Sequence, residues 1–257
     1  MSEYLTVGNW KMNTAVCGAA ELASSIKQNL ASSYNLGVSV VLCPPFISLV
    51  SVREIIKGSS LKLGAQNMFY EPNGAFTGEI SAPMLADICD FVIIGHSERR
   101  HILRESYQVV NRKMVAAISE GLRPILCVGE TLTQRRQGAA ESVVRRQLTT
   151  GLTGVDDVKG LVVAYEPVWA IGTGESATPS AVVDITGEVI RAELEKLFGK
   201  RRAMSIPVLY GGSVNSENVG SFLQEPSIQG TLVGGASLDA DQFAKIVSLS
   251  AKIRAKA

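Results

Sequence analysis

LVVAYE (residues 161–166), followed by PVWAIGTG (167–174) and then a helical pattern from Pro179 to Phe198, is the stretch that decides the fold. Its first five residues are apolar without a break, as in a strand buried on both faces, which is the habit of a parallel sheet covered by helices. In the helical part, Val182, Ile185, Val189, Ile190, Leu194 and Leu197 recur at three- and four-residue spacing and make one apolar face. Thr178 is a fitting cap, with Pro179 in the first turn after it. The unit reads strand, loop, helix.

Working outward, the same kind of apolar run recurs at Leu5–Val7, Val38–Cys43, Leu61–Gly64, Phe91–Ile94, Pro124–Val128, Ile206–Tyr210 and Thr231–Val233. Further helical patterns lie at Ala19–Leu30, Glu105–Glu120, Ala139–Leu148 and Asp239–Ile253. Eight units in 257 residues leave about 32 each, the density of a closed (β/α)8 barrel. A doubly wound sheet would carry a glycine fingerprint after its first strand, but here Asn9-Trp10-Lys11 follows. Gly172-Thr173-Gly174 lacks the third glycine of that fingerprint, and no Walker A motif is present. No linker divides the chain, so the expectation is one α/β domain over residues 1–257.

With 25 basic and 24 acidic residues the net charge is +1, which gives no field for nucleic acid or an anionic membrane. A small anionic substrate needs only local positive potential and stays open. Cys17, Cys43, Cys89 and Cys127 form no CxxC pair and have no histidine at metal-ligand spacing. They read as buried, reduced thiols, and no metal is expected. The N-terminus has no basic leader, and no window approaches the roughly 18 apolar residues of a membrane span. The expected location is cytoplasmic. One connection, Gln66–Glu79, is long and carries Pro72, Asn73-Gly74 and Gly78. Such a loop is either functional, pinned by a partner, or simply exposed.

In barrels of this kind chemistry gathers at the C-terminal ends of the strands. Those ends carry Asn9 and Lys11, then His96, Ser97 and Glu98, then Glu166, then Gly211-Gly212-Ser213, and last Gly234-Gly235. Glu166, flanked by an apolar run and by Pro167 and Trp169, is a candidate general base whose pKa burial should raise; a strand-end glutamate in an ion pair or cap is the plainer alternative. His96 opens a helix, where the positive dipole end favours a neutral imidazole able to donate to an oxyanion. A packed histidine bonded to backbone is the alternative. Lys11 is the mouth's natural counterion, unless it is a surface lysine. Glu98 orients Lys11 or the substrate, or is an ordinary helix-start acid. The two glycine pairs allow backbone N–H groups to approach phosphate oxygens, with a short helix from Gly235 adding its dipole.

NWKMN, AQN with NGAFTGE, GHSERR, CVGET, AYEPVWAIGTG, YGGSV and LVGGASL, in order from residue 8 to residue 238, resemble the triosephosphate isomerase family. The resemblance implies a single-domain TIM barrel that interconverts dihydroxyacetone phosphate and glyceraldehyde 3-phosphate through an enediolate, without a cofactor. By matching motif, Glu166 would move the proton on carbon, His96 would polarise the carbonyl, Lys11 and Asn9 would steady the enediolate, and Glu98 would organise the cluster. Pro167–Gly174 would be a lid. Gly172, Ser213, Gly234 and Gly235 would hold the phosphate. The Gln66–Glu79 loop is similar to the arm that enters a neighbouring subunit, implying a homodimer. Departures are Glu175 where lysine is common, Ser227 where aspartate is common, and Arg104 and Tyr107 in place of a glycine and an acid. Ser227 puts in doubt the family ion pair with Arg191. A different phosphate-binding barrel enzyme or a non-catalytic barrel would not need the Glu166–His96 pairing or the lid.

Overall fold

Residues 3–31, 37–171 and 177–255 are described by a computed structural model. The strands are β1 Tyr4–Asn9, β2 Val38–Cys43, β3 Lys62–Ala65, β4 Phe91–Ile94, β5 Arg123–Val128, β6 Val162–Tyr165, β7 Val208–Tyr210 and β8 Gly230–Val233. They pair in sequence order, all parallel, and close when β1 meets β8 with Leu5 opposite Gly230. The helices are α1 Val16–Asn29, α2 Leu49–Ile56, α3 Ala82–Ala86, α4 Ser97–His101, α5 Tyr107–Ser119, α6 Leu132–Arg136, α7 Ala140–Gly151, α8 Pro179–Val183, α9 Arg191–Phe198, α10 Lys200–Ser205, α11 Val219–Leu223 and α12 Ala240–Arg254.

Alternation along each strand separates two cores. Leu5, Val7, Val41, Phe91, Ile93, Ile125, Val162, Ala164 and Leu209 fill the barrel, while Leu42, Ile94, Leu126, Val163 and Val208 face the helices. Both faces are dry, which is why the strands read as unbroken apolar runs. Cys43 and Cys127 belong to the inner core and Cys89 is buried, but Cys17 is exposed on α1, against the expectation for all four. Its place near the start of an amphipathic helix, two residues before the first buried position, puts it on the wet side.

The Pro179–Phe198 pattern is continuous, as read, and Thr178 caps it by accepting from the Ala181 amide at 3.3 Å. Its middle, Asp184–Ile190, is wound as a π-helix between α8 and α9. That widening holds Thr186 and Gly187, and the Thr186 and Ser227 hydroxyls meet there at 2.8 Å. Among the described residues no helix is long and apolar enough to cross a membrane.

Candidate active site

A cavity of about 240 Å3 opens at the C-terminal ends of the strands, lined by Asn9, Lys11, His96, Glu166, Ile171, Ser213, Gly234 and Gly235 among others. Two larger hollows, one at the opposite end near Arg53 and Asp90 and one between Tyr70 and α5, bring no such set together. The residues singled out from strands 1, 4, 6, 7 and 8 therefore share one mouth.

Lys11 sits at φ +53, a conformation that L-residues seldom hold without support. The support is visible: its amide donates to Asn9 Oδ1 at 3.0 Å, and its carbonyl accepts from Gln66 Nε2 at 2.8 Å. Gln66 also donates to the Cys43 carbonyl at 2.8 Å, so the first residue of the long loop ties the ends of β1 and β2 together. Lys11 Nζ lies 2.6 Å from Glu98 Oε1. Glu98 thus pairs with the lysine while standing in the first turn of α4.

His96 stands between β4 and α4. Its Nδ1 accepts from the Glu98 amide at 3.3 Å, which leaves the proton on Nε2. With α4 only five residues long, this amide does more to set the tautomer than a macrodipole can. Nε2 lies 2.9 Å from Glu166 Oε1. Glu166 is almost wholly buried, and its Oε2 accepts from the Ser97 amide at 2.8 Å. Oε1 receives no well-aligned hydrogen bond, so the close imidazole acts on it mainly by proximity.

The charges respond accordingly. Burial is the largest single influence on Glu166 and pushes its pKa up, but His96, the Ser97 amide and Lys11 together hold it below the ordinary glutamate value. This corrects the expectation of a raised pKa: the burial is there, but His96, Ser97 and Lys11, from elsewhere in the chain, outweigh it. For His96, burial again acts most strongly and pushes the pKa down, while Glu166 and then Glu98 overcome it and raise the net value.

Glu130, which sequence reading did not single out, is fully buried behind this pair. It accepts from Tyr165 Oη at 3.0 Å, from Trp169 Nε1 at 2.9 Å and from Arg135 Nη1 at 3.2 Å. A carboxylate wholly inside a protein needs such partners. Through Trp169 it fastens the short 3-10 turn Val168–Ala170 that leads into the expected lid. Gly172 and Glu175, named from the sequence, lie outside the described residues.

On the far side, the Ser213 carbonyl is tied by Asn218 Nδ2 at 2.9 Å. A Cβ on Gly212 would fall 2.2 Å from Tyr210 Oη, so this position admits no side chain unless the ring moves. Gly234 differs: a Cβ there would stand 3.5 Å from Lys11 Cε, ordinary contact. Its lack of a side chain serves access to the backbone from the cavity. The short helix expected from Gly235 is a four-residue 3-10 helix, Gly235–Leu238, so its dipole is small. Among the described residues no group of three or more His, Cys, Asp and Glu is placed to hold a metal ion.

Among the described residues Arg191 hydrogen-bonds to neutral acceptors: the carbonyls of Ala203 at 2.9 Å and Ile206 at 2.6 Å, and Gln229 Oε1. Burial lowers its pKa to about 10. Ser227 turns to Thr186, so the doubt over the family ion pair is well placed.

A family profile described as "Triosephosphate isomerase" matches residues 4–250. A protein named triosephosphate isomerase from Dehalococcoides mccartyi (strain CBDB1) is 46% identical over 256 residues, covering 100% of this chain and 100% of its own length. One of the same name from Acetivibrio thermocellus is 47% identical over 245 residues, covering 94% and 96%. Another, from Caldanaerobacter subterraneus, is 45% identical over 251 residues, covering 96% and 100%.

Proposed function

The chain belongs to the triosephosphate isomerase family, and on that premise we propose how its own residues carry the interconversion of dihydroxyacetone phosphate and glyceraldehyde 3-phosphate. The observation that carries the reading is the meeting of Glu166 and His96 at 2.9 Å on the wall of a cavity that Lys11 also lines. Residues 1–257 act as one catalytic domain.

Glu166 is the base. It removes a proton from the carbon beside the substrate carbonyl and returns it to the neighbouring carbon. In the structure its carboxylate accepts from the Ser97 amide and lies beside His96. Turning toward substrate takes it from these donors, and burial, the strongest influence on it, is then less opposed and its basicity rises. The same movement frees His96 Nε2–H for the substrate oxygens. It donates its proton to one and recovers one from the other, leaving the imidazole neutral at the end of the cycle. Lys11, aimed by Glu98 and Asn9, meets the charge of the enediolate.

Magnitudes favour sharing the work. A positioned base contributes about 10²–10⁴-fold. Each preorganised donor aimed at a developing oxyanion adds about 2.7–4 kcal/mol. The amides of Gly172, Ser213, Gly234 and Gly235 hold the phosphate, and the segment after Trp169 closes over the site to exclude water. The protein works in the cytoplasm as a homodimer joined through Gln66–Glu79, without a cofactor, nucleic acid or membrane. In support of the dimer, Met12, Ile47, Phe76, Met84, Ile102 and Leu103 are exposed apolar side chains on the loops and short helices that follow β1 to β4.

A coupled assay on both triose phosphates tests the reading. Undetectable wild-type turnover in both directions sinks the isomerase assignment. Glu166→Asp, which sets the carboxylate back by a methylene, is expected to lower kcat on the order of 10²-fold; an unchanged rate sinks the base.

A further inference from the structure

Gln147 is buried on α7, a helix already seated on the barrel by Val144 and Leu148. A polar side chain adds nothing to that apolar contact, yet its carboxamide is used in full. Oε1 accepts from the Gly129 amide at 2.7 Å, and Nε2 donates to the Gly129 carbonyl at 3.0 Å. Gly129 follows the end of β5, beyond the last β4–β5 pair, Ile94 opposite Leu126. The glutamine amide stands in for the missing strand partner and holds the N–H and the C=O of one residue, Gly129, on the two peptides that flank its Cα.

What rests on that residue is the backbone of Glu166. A Cβ on Gly129 would fall 1.7 Å from the Glu166 carbonyl oxygen, so the two main chains lie in direct contact and only glycine permits it. The residues on either side complete the seat: the Val128 carbonyl accepts from the Glu166 amide at 2.7 Å, and the Glu130 carbonyl from the Val168 amide at 3.1 Å. Residues 128–130 thus carry residues 166–168, and Gln147 holds the middle one.

We propose that Gln147 is a positioning residue for the reaction: by fixing Gly129 it sets where the Glu166 backbone sits, and so where its carboxylate can reach. The inference rests on the assignment of Glu166 as the base. Three of the four phosphate amides, those of Ser213, Gly234 and Gly235, are on the loops after β7 and β8, away from Gly129, so substrate affinity changes little.

A double-mutant cycle on the full-length enzyme tests it, using wild type, Gln147→Leu, Glu166→Asp and the double variant, each assayed where circular dichroism shows it folded. Gln147→Leu is expected to lower kcat on the order of 10- to 100-fold with KM within about twofold. In the Glu166→Asp background, where the base is already displaced, the same change should cost several-fold less. A variant with a lowered Tm but wild-type kcat overturns the proposal, because Gln147 is then only structural. So does full additivity of the two changes. If Gln147→Leu does not fold, Gln147→Glu, which keeps an acceptor for the Gly129 amide, takes its place in the cycle, and wild-type kcat or full additivity overturns the proposal there too. A Glu166→Asp enzyme at wild-type rate strikes the base assignment instead, so the two failures are distinguishable.

Discussion

At the scale of single residues, two positions show opposite relations between sequence and environment. Thr14 is a β-branched residue at φ +72. A left-handed conformation costs an L-residue about 1–2 kcal/mol, and glycine escapes that cost while losing roughly 0.5–1 kcal/mol to unfolded-state freedom. Thr14→Gly is therefore expected to raise stability by up to about 1 kcal/mol, or roughly 2–4 °C in Tm at this chain length. A calorimetric Tm equal to or below wild type would contradict this. Glu166 was legible as a chemical group, but the direction of its pKa was not, because its donors His96 and Ser97 are about 70 residues away in the chain. A carboxyl held below its unfolded value adds stability that is complete above that value, about 4.5, and lost as pH falls through the folded pKa. Below pH 4.5, wild-type Tm should thus fall more steeply than that of Glu166→Gln. Parallel Tm curves would show that the resting carboxylate is not favoured by its neighbours.

At the scale of elements, the period of apolar residues revealed strands and helices because burial on both strand faces and on one helix stripe leaves that mark. It did not reveal the clamps between elements, which are single polar side chains meeting distant backbone: Gln66 on Lys11 and Cys43, Gln147 on Gly129, Arg191 on the end of α10. The π-turn at Asp184–Ile190 escaped for the same reason, since it keeps the apolar stripe while shifting it by one residue. Arg191 offers a test at this scale. It begins α9, reaches the Ala203 and Ile206 carbonyls, and shares Gln229 Oε1 with the Val208 amide, 3.1 Å from that oxygen, at the start of β7. Arg191→Met removes three bonds from a charged donor, of whose acceptors Gln229 keeps the Val208 amide and Ala203 the Ile206 amide, at a cost of roughly 2–4 kcal/mol. The site lies at the strands' N-terminal ends, opposite the mouth. Tm should fall by about 5–10 °C with kcat per folded molecule unchanged; a loss of kcat at temperatures where the variant is folded would show that this clamp reaches the mouth.

At the scale of the whole molecule, eight strand–loop–helix units imposed closure, and closure brought residues 9, 96, 166, 213 and 234 to one end. That much could be read in advance, because parallel strands in a closed ring all present their C-terminal ends on the same side. The surface around that end is less even than the sequence suggested. Exposed apolar side chains follow β1 to β4, Met12 almost fully open at 96% and Ile102 at 71%, while the loops after β7 and β8 carry the glycine pairs. On the proposed reading, one half of the rim would meet a second copy and the other a phosphate. Covering the apolar half with a second copy would bury Phe76 on the arm and also steady Gln66, whose side chain holds the strained Lys11 backbone. Quaternary structure and catalysis are then linked through one glutamine. Deleting residues 73–78 should halve the sedimenting mass at micromolar concentration and lower kcat on the order of 10²-fold, because Lys11 loses its fixed place when the loop loosens. A monomeric wild type would remove the dimer from the account. A deletion variant that stays dimeric would move the interface off the arm, and a monomer with full kcat would break the link between the arm and Lys11.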